Sequence, residues 1–283
     1  MKKIILFILT LIIFFFGILC KKDAPLFEIK NLNGNEVKVF GHGGSGVSWK
    51  FPIDTWESIE NCLKIGADGS EMDVQMTKDC VLVAYHHTTL EEATGCNGVI
   101  NDKLWSEIEG CHFYSPLSSH LYLMRVDDIF SRVKEIKNYT FTFDCKLYTN
   151  STNVREYFNQ YADAIIKIID KYQLEDNILI ESPKFDFLKI LKSKRNILKL
   201  FIYPSSFERG LQIAKELNLF GITIDTELMT KEKSDTAHSN GFRVTLWNIQ
   251  TQQENIETLQ KNPDYVQTDK IRHLLKITGK YKK

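Results

Sequence analysis

The sequence predicts an α/β fold with a mainly parallel sheet, of the size and repeat of a (β/α)8 TIM-type barrel. Three observations lead there. Short β-rich runs alternate with longer amphipathic ones along most of the chain. Repeated βα units are the pattern that buries a parallel sheet under helices. The 283 residues, less an apolar leader, match the roughly 250 residues that such a barrel needs. Composition narrows the choice by exclusion. With 43% hydrophobic and 25% charged residues the chain is too apolar to be disordered, and its single long apolar stretch is too little for a polytopic membrane protein. The 36 basic and 36 acidic side chains cancel, so no global charge draws the protein to nucleic acid and no nucleic-acid partner is expected. Any anion must be held by a local site.

The elements are taken in chain order. Lys2 and Lys3 precede an apolar run from Ile4 to Cys20, broken by Thr10 and Gly17 and followed by Lys21 and Lys22. A basic start, an apolar stretch and a polar exit describe an export signal. Cys20 sits where a bacterial lipoprotein would carry its lipidated cysteine, although Gly17-Ile18-Leu19 lacks the small residue usual just before it. A lipidated cysteine, a retained anchor and a cleaved signal stay open. Each places the domain outside the cytoplasm: exported, and membrane-attached through this segment or periplasmic or extracellular. The chain therefore divides into a signal or anchor over 1–20, a linker over 21–35 and a barrel domain over 36–283.

Strands are expected at Val37–Gly41, Gly69–Met76, Val81–His86, Tyr139–Lys146, Asn177–Glu181, Leu198–Tyr203, Gly221–Asp225, Arg243–Asn248 and Tyr265–Thr268. Helices are expected at Asp54–Ile65, Asp127–Ile136, Val154–Tyr172, Phe207–Leu217 and Gln252–Leu259. The third is the clearest, with Ile165, Ile166, Ile169 and Tyr172 on one stripe. Only Thr77-Lys78-Asp79 and their neighbours separate the second strand from the third. A parallel crossover takes about a dozen residues or more, so this pair should be a hairpin whose return strand is surplus to eight βα units. It would set Asp73 roughly opposite His86. The poorly periodic stretch Gly95–Met124 reads as a small insertion over one end of the barrel. Beyond Cys20 there are Cys62, Cys80, Cys96, Cys111 and Cys145, an odd set without close spacing. Cys96 and Cys111 flank the insertion and could pair in an oxidising compartment; buried free thiols are the other reading.

In such barrels the chemistry sits at the C-terminal ends of strands. His42 ends the first strand, and His86 with His87 the hairpin return. Glu71 and Asp73 lie two apart on the second strand and Asp144 and Lys146 two apart on another, so each pair shares a face. Glu71, Asp73 and Asp144 offer oxygens to a hard divalent cation, Ca2+ or Mg2+. Two histidines beside them suit a general acid and a general base, and Lys146 adds charge for an anionic substrate. Trp247 reads as core or as a pocket wall. Glu181, Asp225 and Asp269 also end strands and have a simple reading as caps of the next helix in each case.

These residues sit in longer strings: G-H-G-G-S-G from Gly41, P-I-D-T from Pro52, I-G-A-D-G-S-E-M-D-V-Q-M-T-K-D from Ile65, and V-L-V-A-Y-H-H-T-T-L from Val81. Weaker parallels occur at F-D-C-K (Phe143–Lys146), V-T-L-W-N (Val244–Asn248) and V-Q-T-D (Val266–Asp269). The chain resembles the glycerophosphodiester phosphodiesterase family, with its His-Arg-Gly, Pro-Glu-Asn-Thr, Gly-Ala-Asp, Glu-x-Asp-Val, Thr-x-Asp and His-Asp segments. The resemblance implies a metal-dependent hydrolase, a phosphoric diester hydrolase that releases glycerol 3-phosphate and an alcohol. It makes His42 and His86 the acid–base pair, Glu71, Asp73 and Asp144 the metal ligands, and Lys146 a neighbour of the phosphate with Trp247 on a late site strand. A lyase-type phospholipase stopping at the cyclic phosphate, and a non-catalytic surface barrel that binds glycerophosphoryl groups, are the alternatives.

The chain departs from the pattern at four places. Gly43 stands for the arginine, Ile53 for the glutamate after proline, His87 for the aspartate after the second histidine, and Asp144 for the more usual glutamate. Lys146, or Lys50 as a second candidate, is expected to replace the arginine in part. Gly43 is expected to leave room that a larger or differently shaped headgroup could use, and Gly43→Arg, by restoring the arginine, to raise activity on simple glycerophosphodiesters.

Overall fold

A computed structural model describes residues 28–47, 50–114 and 121–283. Its strands are β1 (Lys38–Gly41), β2 (Gly69–Met76), β3 (Leu82–Ala84), β4 (Met124–Arg125), β5 (Thr140–Cys145), β6 (Ile178–Ser182), β7 (Lys199–Ile202), β8 (Gly221–Asp225), β9 (Arg243–Ile249) and β10 (Tyr265–Thr268). β1, β2 and β5 to β10 pair in parallel, and the β1–β2 pairing closes the circle. The expected (β/α)8 barrel is therefore the observed one. The expected hairpin is also present: β3 runs antiparallel to β2 with Val74 opposite Ala84, and β4 extends it outside the barrel.

Helices α1 (Trp56–Lys64), α2 (Trp105–Ile108), α3 (Val126–Arg132), α4 (Val154–Tyr172), α5 (Phe185–Lys194), α6 (Phe207–Leu217), α7 (Lys231–Ser239), α8 (Gln252–Leu259) and α9 (Ile271–Ile277) complete the described chain. α4, α6 and α8 match their expected limits. Their starts are fixed by side chains that accept orphan backbone N–H groups: Asn153 for α4, Ser206 for α6 and a Thr251/Glu254 capping box for α8. α5 is not among the helices expected from the sequence; Phe187, Leu188 and Leu191 are its buried stripe.

The period of two along each strand sorts side chains into two cores. On β2, Met72, Val74 and Met76 point outward and join Ile59, Phe130, Phe143 and Tyr161 under the helices. The intervening residues point into the lumen. Its lower end is plugged by Phe40, Leu179, Phe201 and Tyr265, with the Tyr265 ring 5.6 Å from Phe40 and 5.8 Å from Phe201. Above that plug, Glu181 accepts hydrogen bonds from Thr223 Oγ1 (2.5 Å) and Gln267 Nε2 (3.1 Å). Glu181 is thus not a helix cap; it spans the lumen between three strands, and burial pushes its carboxyl up to about 8. Asp225 does cap the short turn after β8, accepting from Glu227 N–H.

The insertion has its own small core, which includes Tyr85, Leu90, Ile100, Trp105, Phe113 and Leu121. A Cys96–Cys111 disulfide staples it. By the chain-entropy argument, closing a loop of about 15 residues is worth ~3 kcal/mol. Cys62 and Cys145 are buried free thiols and Cys80 an exposed one. Ahead of β1, Asn31 Nδ2 donates to Pro263 O at 2.7 Å, and Leu32 N–H to Asp264 Oδ1 at 2.7 Å. No helix among the described residues is long and apolar enough to cross a membrane; the run Ile4–Cys20 lies outside them.

Candidate active site

The lumen-facing row continues upward into a ring of charge. Glu71, Asp73 and Asp144 each place one oxygen within 4.8 Å of the others. β2 and β5 run side by side with Asp73 level with Asp144, so the spacing on each strand and the parallel register together bring the three to one point. Glu71 and Asp73 are buried. Glu71 Oε1 and Asp73 Oδ2 have no hydrogen-bond partner. A buried, unpaired carboxylate oxygen is costly, and an all-oxygen set at this spacing is what a hard cation takes. The residues therefore fit the divalent ion expected of them.

Lys146 sits among them. Its Nζ lies 3.0 Å from Asp73 Oδ1 and 2.7 Å from Asp144 Oδ2. Burial opposes its charge, but the two carboxylates outweigh that and raise its pKa. Lys146 is thus bound to the carboxylates, where the sequence suggested a cation ready to replace an arginine. Asp73 feels burial too, yet Lys146, His86 and His42 hold it below the ordinary range. Glu71 goes the other way: burial, then the charge of Asp73, push it well up. Asp144 is raised mainly by burial.

The two histidines differ. His42 Nδ1 is 2.8 Å from Asp269 Oδ1. Burial alone would lower its pKa, but the Asp269 hydrogen bond and the charges of Glu71 and Asp73 push it up to about 9. His42 is therefore an imidazolium at neutral pH. His86 has a buried Nδ1 with no partner. Burial lowers its pKa more than Asp73 raises it, so the ring is neutral. The His86 and His87 rings meet edge to face at 4.9 Å, and His87 is 3.6 Å from Glu92.

The structure brings together six of the seven residues picked from the sequence; the seventh, Trp247, packs edge to face against Tyr203, ring centres 5.2 Å apart. Its indole N–H is buried and unpartnered. Two residues were missed. Asp269 looked like a cap, and it is the partner of His42. Asp54 looked like the first residue of a helix; it has φ 64°, and the helix starts at Trp56 with Thr55 as its cap.

The expected space at Gly43 is also absent. Gly43 has φ 53°, and a Cβ there would lie 2.4 Å from Ile53 Cβ. The close atoms are Ile53 Cβ at 2.4 Å, Cγ2 at 2.9 Å and Cα at 3.2 Å, so the turn as it is folded here leaves no room for a side chain at 43. The Gly43 N–H instead donates to Glu71 Oε2 at 2.6 Å. Lys50, the other suggested cation, lies over the Phe51 ring at 5.0 Å.

Comparison with known proteins agrees with this geometry. The sequence profile of the glycerophosphoryl diester phosphodiesterase family matches residues 44–273. A glycerophosphodiester phosphodiesterase of Caldanaerobacter subterraneus subsp. tengcongensis is 21% identical over 243 residues, covering 86% of this chain and 98% of that one. A solved structure described as a putative glycerophosphodiester phosphodiesterase from Galdieria sulphuraria superposes with TM-score 0.75 at 17% identity, over 86% of this chain and 98% of that one. An Oleispira antarctica phosphodiesterase, solved with the product sn-glycerol-3-phosphate, gives TM-score 0.74 at 14% identity, over 86% of this chain and 96% of that one.

Proposed function

The chain belongs to the glycerophosphoryl diester phosphodiesterase family and is a phosphoric diester hydrolase; from that premise we propose that it splits glycerophosphodiesters into glycerol 3-phosphate and an alcohol, with His86 as base, His42 as acid, and a divalent cation held by Glu71, Asp73 and Asp144. The observation that carries this reading is the convergence of Glu71, Asp73 and Asp144 oxygens within 4.8 Å, with Glu71 Oε1, Asp73 Oδ2 and His86 Nδ1 buried and unpartnered.

The roles rest on the protonation states. Neutral His86 takes the proton of the attacking glycerol hydroxyl. His42, charged and fixed through Nδ1 by Asp269, presents its other nitrogen and gives its proton to the departing alkoxide. In the second half the two exchange roles: His42, now neutral, takes a proton from water, and His86 returns its proton as the cyclic phosphate opens. When bound, the cation supplies charge neutralisation at the phosphoryl oxygens. Ca2+ and Mg2+ both suit the donor set. Trp247 and Tyr203 form a wall for the glycerol or its leaving group, with the indole N–H as a donor.

Phosphorus NMR on glycerophosphocholine with Ca2+ or Mg2+ tests the reading. Glycerol 3-phosphate is the expected product. Accumulation of a cyclic phosphate would leave a lyase, and an unchanged spectrum with several headgroups would overturn the substrate class. We further propose export, with attachment to a membrane through the N-terminal segment. The Cys96–Cys111 disulfide supports an oxidising compartment.

A further inference from the structure

His42 and His86 are held in different ways. The His42 ring is fixed from the side by Asp269, 2.8 Å from its Nδ1. The His86 ring has a buried Nδ1 with no partner, so its place depends on the backbone that carries it. That backbone has left the sheet. β3 ends at Ala84, its last residue in register with β2, and one further bond, from Tyr85 N–H to Asp73 O at 2.9 Å, closes the ladder.

Gln75 takes over where the ladder stops. It lies two residues beyond Asp73 on β2, on the same face, and it is 2% exposed. Its Nε2 donates to Tyr85 O at 2.9 Å and to His87 O at 2.7 Å. These are the carbonyls before and after His86. A carbonyl oxygen only accepts, so the amide nitrogen and not its oxygen must face them, and its two N–H groups are both used. Gln75 itself stands on a fixed stretch of strand. It pairs with Val83 across the hairpin, and Asp54 Oδ1 accepts the neighbouring Asp73 N–H at 3.0 Å. One side chain on a held strand therefore spans the residue that the ladder leaves free. The task is specific to the amide: a glutamate of the same length brings no N–H, and an asparagine is one methylene too short to reach both carbonyls.

We propose that Gln75 is a positioning residue for His86, which holds the proton-accepting ring in place by bridging the two carbonyls that flank it. The inference rests on the base role of His86 under Proposed function.

Steady-state kinetics of the full-length protein on glycerophosphocholine, beside thermal melting and calorimetric titration with Ca2+ and Mg2+, tests it. Gln75→Met has similar volume and no donor. It should lower kcat about 10- to 100-fold, the scale of a small misplacement of a catalytic group, and leave KM and cation affinity near wild type. In a His86→Ala background the same substitution should cost nothing further, because a side chain that acts through another has no effect of its own once that one is gone. If Gln75→Met fails to fold, Gln75→Asn is read in its place, since it keeps the amide and loses the bridge. Wild-type kcat in the Gln75 variant, or losses that multiply in the double variant, would overturn the inference and leave the base role intact. Wild-type turnover in His86→Ala would overturn both.

Discussion

His42 and His86 are the same side chain at the same end of one barrel, and their surroundings drive them apart. His42 is clamped by Asp269 and faces Glu71 and Asp73, which together overcome burial and hold its proton up to about 9. His86 has Asp73 near it but also Lys146, His87 and His42, and burial prevails. A pair of groups with pKa values pushed apart is what acid–base catalysis at neutral pH requires. The protein obtains the asymmetry from strand ends: β10 delivers a carboxylate to one ring and β3 delivers none to the other.

The largest effect should come from removing what polarises both rings. Asp73→Ala or Glu71→Ala, or excess chelator with the wild type, is expected to abolish turnover while circular dichroism stays native. Full activity in chelator would end the cation reading. Because Glu71 is raised in the ion-free protein, the cation must displace its proton, so cation affinity should rise with pH; titration at several pH values measures this.

Next come the rings themselves. His42→Ala and His86→Ala should each cost at least about a hundredfold in kcat, the lower end for general acid–base catalysis. The pH profile separates them. His86 must be neutral as base, so it governs the acidic limb. His42 must be charged as acid, so it governs the alkaline limb, at about 9 in the ion-free protein and lower once a cation offsets the neighbouring carboxylates. Each variant should lose its own limb, and a variant that keeps both would show its histidine to be structural.

A smaller effect tests the clamp. Asp269→Asn keeps a hydrogen-bonding group beside His42 but removes the charge. Turnover should fall roughly tenfold to a hundredfold, below the loss for the ring itself, and the alkaline limb should move to lower pH. Stability should respond with a definite sign. His42 is raised above its ordinary 6.5 in the folded protein, so its contribution is complete below about 6.5 and is lost as pH rises through about 9. Denaturant midpoints across that window should converge for wild type and Asp269→Asn at high pH. A constant gap would mean that Asp269 acts on the turn and not on the ring.

What could be read from the sequence divides along similar lines. The alternation E-M-D-V on β2 and D-C-K on β5 is a property of extended backbone, so Glu71, Asp73, Asp144 and Lys146 were legible from the chain alone. Asp269 was not, because a carboxylate after a strand reads equally well as a cap, and only the β1–β10 register brings it to His42. Asp54 was hidden by its own neighbours: its acidic side chain ahead of an amphipathic run imitates a helix start. β4, with two residues, is too short for any period to show. The pairing of Gly43 with Ile53 depends on the path of a turn, which strand and helix periodicities do not encode.

That pairing yields the smallest expected effect and reverses the simplest expectation. Restoring the arginine by Gly43→Arg would, on charge alone, restore a phosphate clamp, since charge-assisted hydrogen bonds are worth roughly 1.5–3 kcal/mol each. Here the new Cβ would meet Ile53 Cβ at 2.4 Å, and φ at Gly43 is 53°. Both costs fall on the turn that donates the Gly43 N–H to Glu71 and carries His42. Gly43→Arg alone should therefore lower the melting temperature, by an overpacking cost of about 1–3 kcal/mol, and lower activity a few-fold. Adding Ile53→Gly should relieve most of the clash and recover part of both, because it removes the Cβ and Cγ2 that a side chain at 43 would meet, whereas Ile53→Ala would keep the Cβ. If Gly43→Arg alone matched or exceeded the wild type in stability and turnover, the turn would have to be softer than its packing implies, and the His42 side would lose the rigidity that sets it apart from His86.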